Sequence, residues 1–227
     1  MNITKFIVGL AVACTITACG QVNEILPEVN MDFPAIIIKQ ELPREMVLVN
    51  PWNPVPEDYE ADLIHVTNGY YVDKQCYDAL NEMLDACREA GNRPLICSAY
   101  RSYNTQTWLY NRKVNQFIGY GYSRQTAEVR AAEIVAVPGT SEHQLGLAVD
   151  IVDSRNQTLN SSQENTDTQK WLMENCWDYG FILRYPTNKS DITGIIYEPW
   201  HYRYVGVETS LAMRDSGLCY EEYLGVD

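Results

Sequence analysis

SEHQLGLAVD, residues 141–150, sets His143 seven positions ahead of Asp150, with Gly146 and Ala148 between them. From Leu147 onward the residues alternate: Leu147, Val149 and Ile151 point one way, Ala148, Asp150 and Val152 the other. A carboxylate on a strand that is otherwise free of charge is costly unless something pairs with it. Ala148, on the same face, leaves room beside it. His143 is an odd number of residues from Asp150, so a straight strand would send it to the opposite face. The turn containing Gly146 can bring it back, and loop and strand would then face one another. Taken alone, a His-x6-Asp pair is more often a capped turn and a salt-bridged core acid than a ligand pair.

The elements around this strand set the fold class. Asp73 can cap a helix whose apolar positions are Cys76, Leu80, Met83, Leu84 and Cys87, with Gly91 ending it. Residues 46–50 (MVLVN) and 94–99 (PLICSA) read as short strands, with Pro51, Pro54 and Pro56 forcing an extended loop between them. Residues 102–118 and 123–135 read as two helices, and 156–167 (NQTLNSSQENTD) as a polar surface loop. A helix over 169–179, strands over 181–185 and 200–205, and a short last helix over 209–214 complete the order. Helices gather early and strands late. That order predicts an α+β fold, a single domain with a small, mainly antiparallel sheet flanked by helices.

The second chemical segment is EPWHYRYVG, residues 198–206. Trp200, Tyr202 and Tyr204 alternate with His201, Arg203 and Val205, a strand pattern. Pro199 biases Glu198 away from helical geometry, so a bend there can aim Glu198 and His201 into one cavity. The chain has three histidines, and two of them fall in these segments; His65, in DLIHVTN, reads as structural. Two imidazoles and an aspartate suit a zinc ion, and three protein ligands leave a fourth position for water. Glu198, not a ligand, is then free to act as a base.

In combination the segments are far more specific than either alone. SEHQLGLAVDI follows S-x-H-x-x-G-x-A-x-D, and EPWHYRYVG follows E-x-W-H. With SAYRSYNTQ (98–106), RYP (184–186) and TGIIYEPWHYRYVG (193–206), the chain resembles the zinc D-alanyl-D-alanine carboxypeptidases of the VanY type, and more distantly the VanX dipeptidases, from about residue 46 to about 215. The resemblance implies one Zn2+ held by His143, Asp150 and His201 at the sheet, with Glu198 as the catalytic base and later acid. It also implies that Arg101 grips the substrate's terminal carboxylate, for which a guanidinium offers two parallel hydrogen bonds. Ser141 and Gln106 would add hydrogen bonds to the substrate, and Tyr185 and Trp200 could line the pocket. The implied reaction is removal of the C-terminal D-Ala from peptidoglycan stem peptides. An L,D-carboxypeptidase acting on tetrapeptide stems and a non-catalytic, zinc-bearing wall-binding module are the alternatives.

The remaining chain bears on location. Lys5 precedes an apolar run from Phe6 to Ala13, too short to span a membrane and suited to a secretory signal. Small residues directly ahead of Cys19 resemble a lipoprotein lipobox. That implies a signal peptide over 1–19, a lipid on Cys19 and an anchor on the outer face of the bacterial cytoplasmic membrane. An ordinary cleaved signal is the alternative. Residues 20–44, with Pro27, Pro34 and Pro43, read as a tether and 45–227 as the peptidase domain. The net charge of −13 argues against nucleic acid and against a basic membrane patch. Cys76, Cys87, Cys97, Cys176 and Cys219 have no CxxC spacing, so a thiolate zinc site is not expected, and most read as small buried hydrophobes. Oligomeric state is not encoded in any pattern found.

Overall fold

The computed structural model describes residues 43–226. The expected signal peptide and Cys19, and nearly all of the expected tether, lie outside the described residues. Arg44, assigned above to the tether, is packed on the folded chain. It bonds the Glu60 carbonyl and Asp73 Oδ2 and lies over the Tyr59 ring.

Two antiparallel sheets form the β component. A hairpin joins β1 (Leu63–His65) to β2 (Tyr71–Asp73), and Asp73 then caps α1 (Lys74–Glu89) by accepting from the Gln75 amide. The main sheet contains β3 (Pro94–Ser98), β4 (Ala148–Asp153), β5 (Phe181–Leu183) and β6 (His201–Tyr204), in spatial order β3-β4-β6-β5. All three pairings are antiparallel. This is the α+β architecture the element order implied.

Strand parity sorts the two faces of this sheet. Val149, Ile151 and Tyr202 enter the main core with Cys76, Leu80, Met83, Leu84 and Cys87 of α1, all buried. Asp150, His201 and Arg203 stand on the other face. The register sets Asp150 opposite His201 on β6 and opposite Ser98 on β3, with an irregularity between Ile96 and Ser98. Helices α2 (Tyr103–Gly119) and α3 (Arg124–Ala132) form a pair with their own small core of Val114, Ala127 and Ala131. Then come α4 (Asp167–Asn175), α5 (Ser190–Thr193) and α6 (Val207–Ser216).

Three expectations change. Residues 46–50 are not a strand: Arg44–Met46 is a 3-10 turn, and Asn50 only bridges Asn53. The Glu45 and Val47 carbonyls accept from Arg203 Nη2, so a buried guanidinium takes the place of a ladder partner. The 156–167 loop contains a 3-10 turn, Ser161–Asn165, because the buried Gln163 amide bonds the Asn156 and Thr158 carbonyls. The helix over Val207–Ser216 is not the last: α7 (Tyr220–Leu224) follows and buries Glu221. All five described cysteines are free thiols, four of them buried.

Gly146 ends the 3-10 turn Glu142–Leu145 in the left-handed region, at φ 74°. A Cβ there would lie 2.8 Å from the Asp73 amide nitrogen, which donates to the Gly146 carbonyl. Conformation and space both demand glycine. Gly146→Ala should therefore destabilise the fold by about 1–3 kcal/mol in urea titration. Gly119→Ala, at a helical position where a Cβ meets nothing within 4 Å, should instead raise the midpoint, by the equivalent of about 0.5–1 kcal/mol of stability.

Candidate active site

The loop after β3 and the turn ahead of β4 are laced together. The Arg101 amide donates to the His143 carbonyl at 3.1 Å, and His143 Nδ1 lies 2.7 Å from the Ala99 carbonyl. This reciprocal pair turns His143 back toward Asp150, as the parity of the segment required. It also places the Arg101 guanidinium on the same cavity. His201 arrives by register alone, as the cross-strand neighbour of Asp150. Glu198 comes from the bend before β6, held by its own amide to the Tyr185 carbonyl and by the His201 amide donating to the Glu198 carbonyl.

These groups share a cavity of about 510 Å3, lined among others by Arg101, Ser141, Tyr185 and Trp200. Asp150 Oδ1 lies 3.3 Å from His143 Nε2 and 3.1 Å from His201 Nδ1. The three donor atoms all lie within 4.8 Å of one another. Four ligands held tetrahedrally at about 2.0–2.1 Å from zinc stand roughly 3.3 Å apart, close to the separation of each histidine nitrogen from Asp150 Oδ1. The hydrogen bonding points the same way. A carbonyl can only accept, so His143 Nδ1 carries the proton and Nε2 presents a lone pair. That buried Nε2 has no hydrogen-bond partner. Burial, together with the nearby Arg101, pushes the His143 imidazole down to about 4, so it is neutral at neutral pH, the form a metal ligand requires. An orphaned nitrogen facing a carboxylate fits a divalent cation of the zinc type.

Glu198 lies beside this set, with Oε2 3.8 Å from His201 Nδ1. Burial, which the charge of Asp150 reinforces and His201 and Arg101 oppose, pushes its carboxyl up to about 8; a divalent cation bound beside it would oppose this and favour the carboxylate form that a base requires. Arg101 is mostly buried, is 3.8 Å from Asp150 Oδ2, and has no partner for Nε. It is not a surface ion pair; it keeps unused donors at the cavity. Ser141 is buried and lines the cavity. Gln106 is wholly buried beside it rather than in its wall: Nε2 donates to the Ala136 carbonyl at 2.7 Å, while Oε1 has no partner. His65 is exposed and accepts from the Gly69 amide, away from the site.

One residue of the motif was overlooked in the sequence. Glu142 is fully buried, with Oε2 3.3 Å from His201 Nε2 and Oε1 bonded by Arg184 and Arg203. The available signal was a pair of arginines in otherwise apolar strand segments, FILRYP and WHYRYV. Buried cations need a buried anion.

Comparison with known proteins agrees with this geometry. A family model described as VanY, D-alanyl-D-alanine carboxypeptidase, matches residues 69–207. A D-alanyl-D-alanine carboxypeptidase of Enterococcus faecalis is 43% identical over 183 residues, which cover 80% of this chain and 66% of that protein. This chain thus spans just under two thirds of that relative's length. Among solved structures, VanYB in complex with D-alanine-D-alanine is 42% identical, with a TM-score of 0.75, covering 81% of this chain and 98% of that one. A mutant of the vancomycin-resistance D,D-pentapeptidase VanY in complex with Zn(II) is 41% identical, with a TM-score of 0.74 and coverages of 80% and 99%.

The donor set predicts one zinc ion per chain. His143→Ala should reduce the bound metal to a small fraction after dialysis against a weak chelator, as read by elemental analysis, with the circular dichroism of the fold preserved.

Proposed function

Since the chain belongs to the VanY family of D-alanyl-D-alanine carboxypeptidases, we propose that it is a zinc-dependent D,D-carboxypeptidase that removes the C-terminal D-Ala from peptidoglycan stem peptides. The observation that carries this reading is the convergence of His143 Nε2, Asp150 Oδ1 and His201 Nδ1 on one point, with Glu198 and Arg101 facing the same cavity. When bound, zinc would polarise the scissile carbonyl and lower the pKa of a water to about 7.

The chain's own residues divide the remaining work. Amide hydrolysis requires a proton to leave the attacking water and another to reach the departing amine. Glu198 takes the first and delivers it to the second. Its carboxylate has no protein hydrogen-bond donor among the described residues, so both oxygens are free for that exchange. Arg101 holds the terminal carboxylate through the donors it does not use internally. Ser141 takes up a polar group of the peptide, Gln106 supports the wall from behind through its bond to the Ala136 carbonyl, and Tyr185 and Trp200 enclose the small D-Ala side chain. Arg112 and Lys113 line the cavity farther out. In a chain of net charge −13, that cationic stretch suits an acidic stem peptide. A non-catalytic wall-binding module would have no use for a buried proton carrier or a carboxylate clamp. The apolar N-terminal run and the small residues before Cys19 support export and lipid anchoring on the outer face of the cytoplasmic membrane, with residues 45–227 as the catalytic part.

The direct test is mass analysis of synthetic stem peptides after incubation with the protein. A pentapeptide ending in D-Ala-D-Ala should lose one alanine, the corresponding tetrapeptide should remain intact, and a chelator should stop the reaction. Trimming of the tetrapeptide instead would make the enzyme an L,D-carboxypeptidase. Glu198→Gln should keep its zinc and lose about 10²–10⁴-fold in kcat. Arg101→Ala should lower kcat/KM on free-carboxylate peptides by about 10-fold or more, the worth of a charged hydrogen bond, with zinc content unchanged. An unaltered ratio would remove the clamp from the mechanism.

A further inference from the structure

Behind His201, on the side away from the cavity, lies a closed ionic cluster that no part of the proposed reaction uses. Its members are Glu142, Arg184, Arg203 and Glu221, all essentially inaccessible to solvent. The two oxygens of Glu142 are treated differently. Oε1 accepts from Arg184 Nε at 2.7 Å and from Arg203 Nη1 at 3.0 Å. Oε2 faces His201 Nε2 at 3.3 Å. The remaining Arg184 donors form a bidentate pair with Glu221 on α7, at 2.9 and 2.6 Å. Glu221 also accepts from Asn50 Nδ2 at 3.0 Å. Two guanidiniums balance two carboxylates, so Glu142 is held ionised and acts only as an acceptor.

We propose that Glu142 is a positioning residue for the metal site, fixing His201 with its proton on Nε2 and the Nδ1 lone pair turned toward Asp150. This rests on the zinc reading above. The reasoning is one of donors and acceptors. A carboxylate in contact with an imidazole can only receive a proton from it. Both nitrogens of His201 face a carboxylate, Nδ1 that of Asp150 at 3.1 Å and Nε2 that of Glu142 at 3.3 Å. A cation shared with Asp150 and His143 would take the Nδ1 lone pair, and the ring proton would then go to Nε2, where only Glu142 can accept it. Carboxylates that hold a ligating histidine by its second nitrogen orient the ring and raise its basicity. His143 has the same arrangement, with the Ala99 carbonyl as its acceptor. The cluster also ties the metal site to the end of the chain. Helix α7 has no residue in the cavity wall, yet through Glu221 and Arg184 it sets where Glu142 stands.

The amide variant tests this sharply. In Glu142→Gln the two arginines, which are donors only, would claim the carbonyl oxygen. The side-chain NH2 is then forced toward His201 and donates to Nε2, moving the ring proton to Nδ1 and blocking the ligand atom. Zinc affinity, measured by competition with a chromophoric chelator, should fall about 10- to 100-fold, and long-range 1H–15N spectra should show the His201 tautomer reversed. Unchanged affinity with a folded variant would overturn the proposal. Should the variant fail to fold, the zinc-loaded wild type decides. A proton on His201 Nε2 with metal at Nδ1 upholds the assignment, and metal at Nε2 overturns it. Wild-type protein that binds no zinc would instead defeat the metal reading itself, a separate outcome.

Discussion

Asp150 stands in the middle of a four-stranded sheet with Ser98 opposite it on one neighbouring strand and His201 on the other. A carboxylate so deeply enclosed costs several kcal/mol unless charge or hydrogen bonds compensate. Its surroundings supply two imidazole nitrogens and a loosely placed guanidinium. With both imidazole lone pairs turned toward it, the charge of Asp150 is compensated within the protein by Arg101 at 3.8 Å, and a bound divalent cation would complete the compensation. Much of the molecule serves this one residue. The sheet register delivers His201, the laced loops deliver His143 and Arg101, and the bend at Pro199 delivers Glu198. Shifting β4 by one residue would move Asp150 into the apolar core and dismantle the site and the core together.

The two faces of the sheet accordingly do different work. One is apolar and rests on α1, and its energetics are those of close packing. The other carries the charged groups among Ala148, Val152 and Ile182, in two tiers, with His143, Asp150 and His201 toward the cavity and the Glu142 cluster behind them. Buried ion pairs of this kind contribute little net stability, because desolvation offsets most of the attraction. What they provide is a defined position for each group. Removing a single member would leave the others uncompensated, so the cluster is best understood as a rigid mount rather than as a source of stability.

The same economy explains the segment before the hairpin. Residues 46–50 have strand composition, yet no strand pairs with them. Arg203 takes the Val47 carbonyl in that stretch and the Glu45 carbonyl just ahead of it, and Val49 fills the core. A guanidinium whose Nη1 and Nε already serve Glu142 and the Tyr204 carbonyl thus also ties down the start of the domain through Nη2.

Local sequence was enough for α1, because the spacing of Cys76, Leu80, Met83, Leu84 and Cys87 and the Asp73 cap are properties of one contiguous stretch. It was enough for the alternation in β4 and β6, for the α+β class, and, once the motifs were recognised, for singling out His143, Asp150, His201, Glu198 and Arg101, which the fold brings to one cavity. Each of these rests on a residue type at a short fixed spacing. Glu142 was not legible in that way, nor was the placement of Gln106 behind the cavity wall or the role of α7. Their partners lie far off in sequence: Arg184 and Arg203 are 42 and 61 residues from Glu142, and Asn50 is 171 from Glu221. Which buried charge meets which is decided by the closing of the sheet. Only the tertiary structure could settle it, because electrostatic pairing depends on distance in space and leaves no periodic trace along the chain.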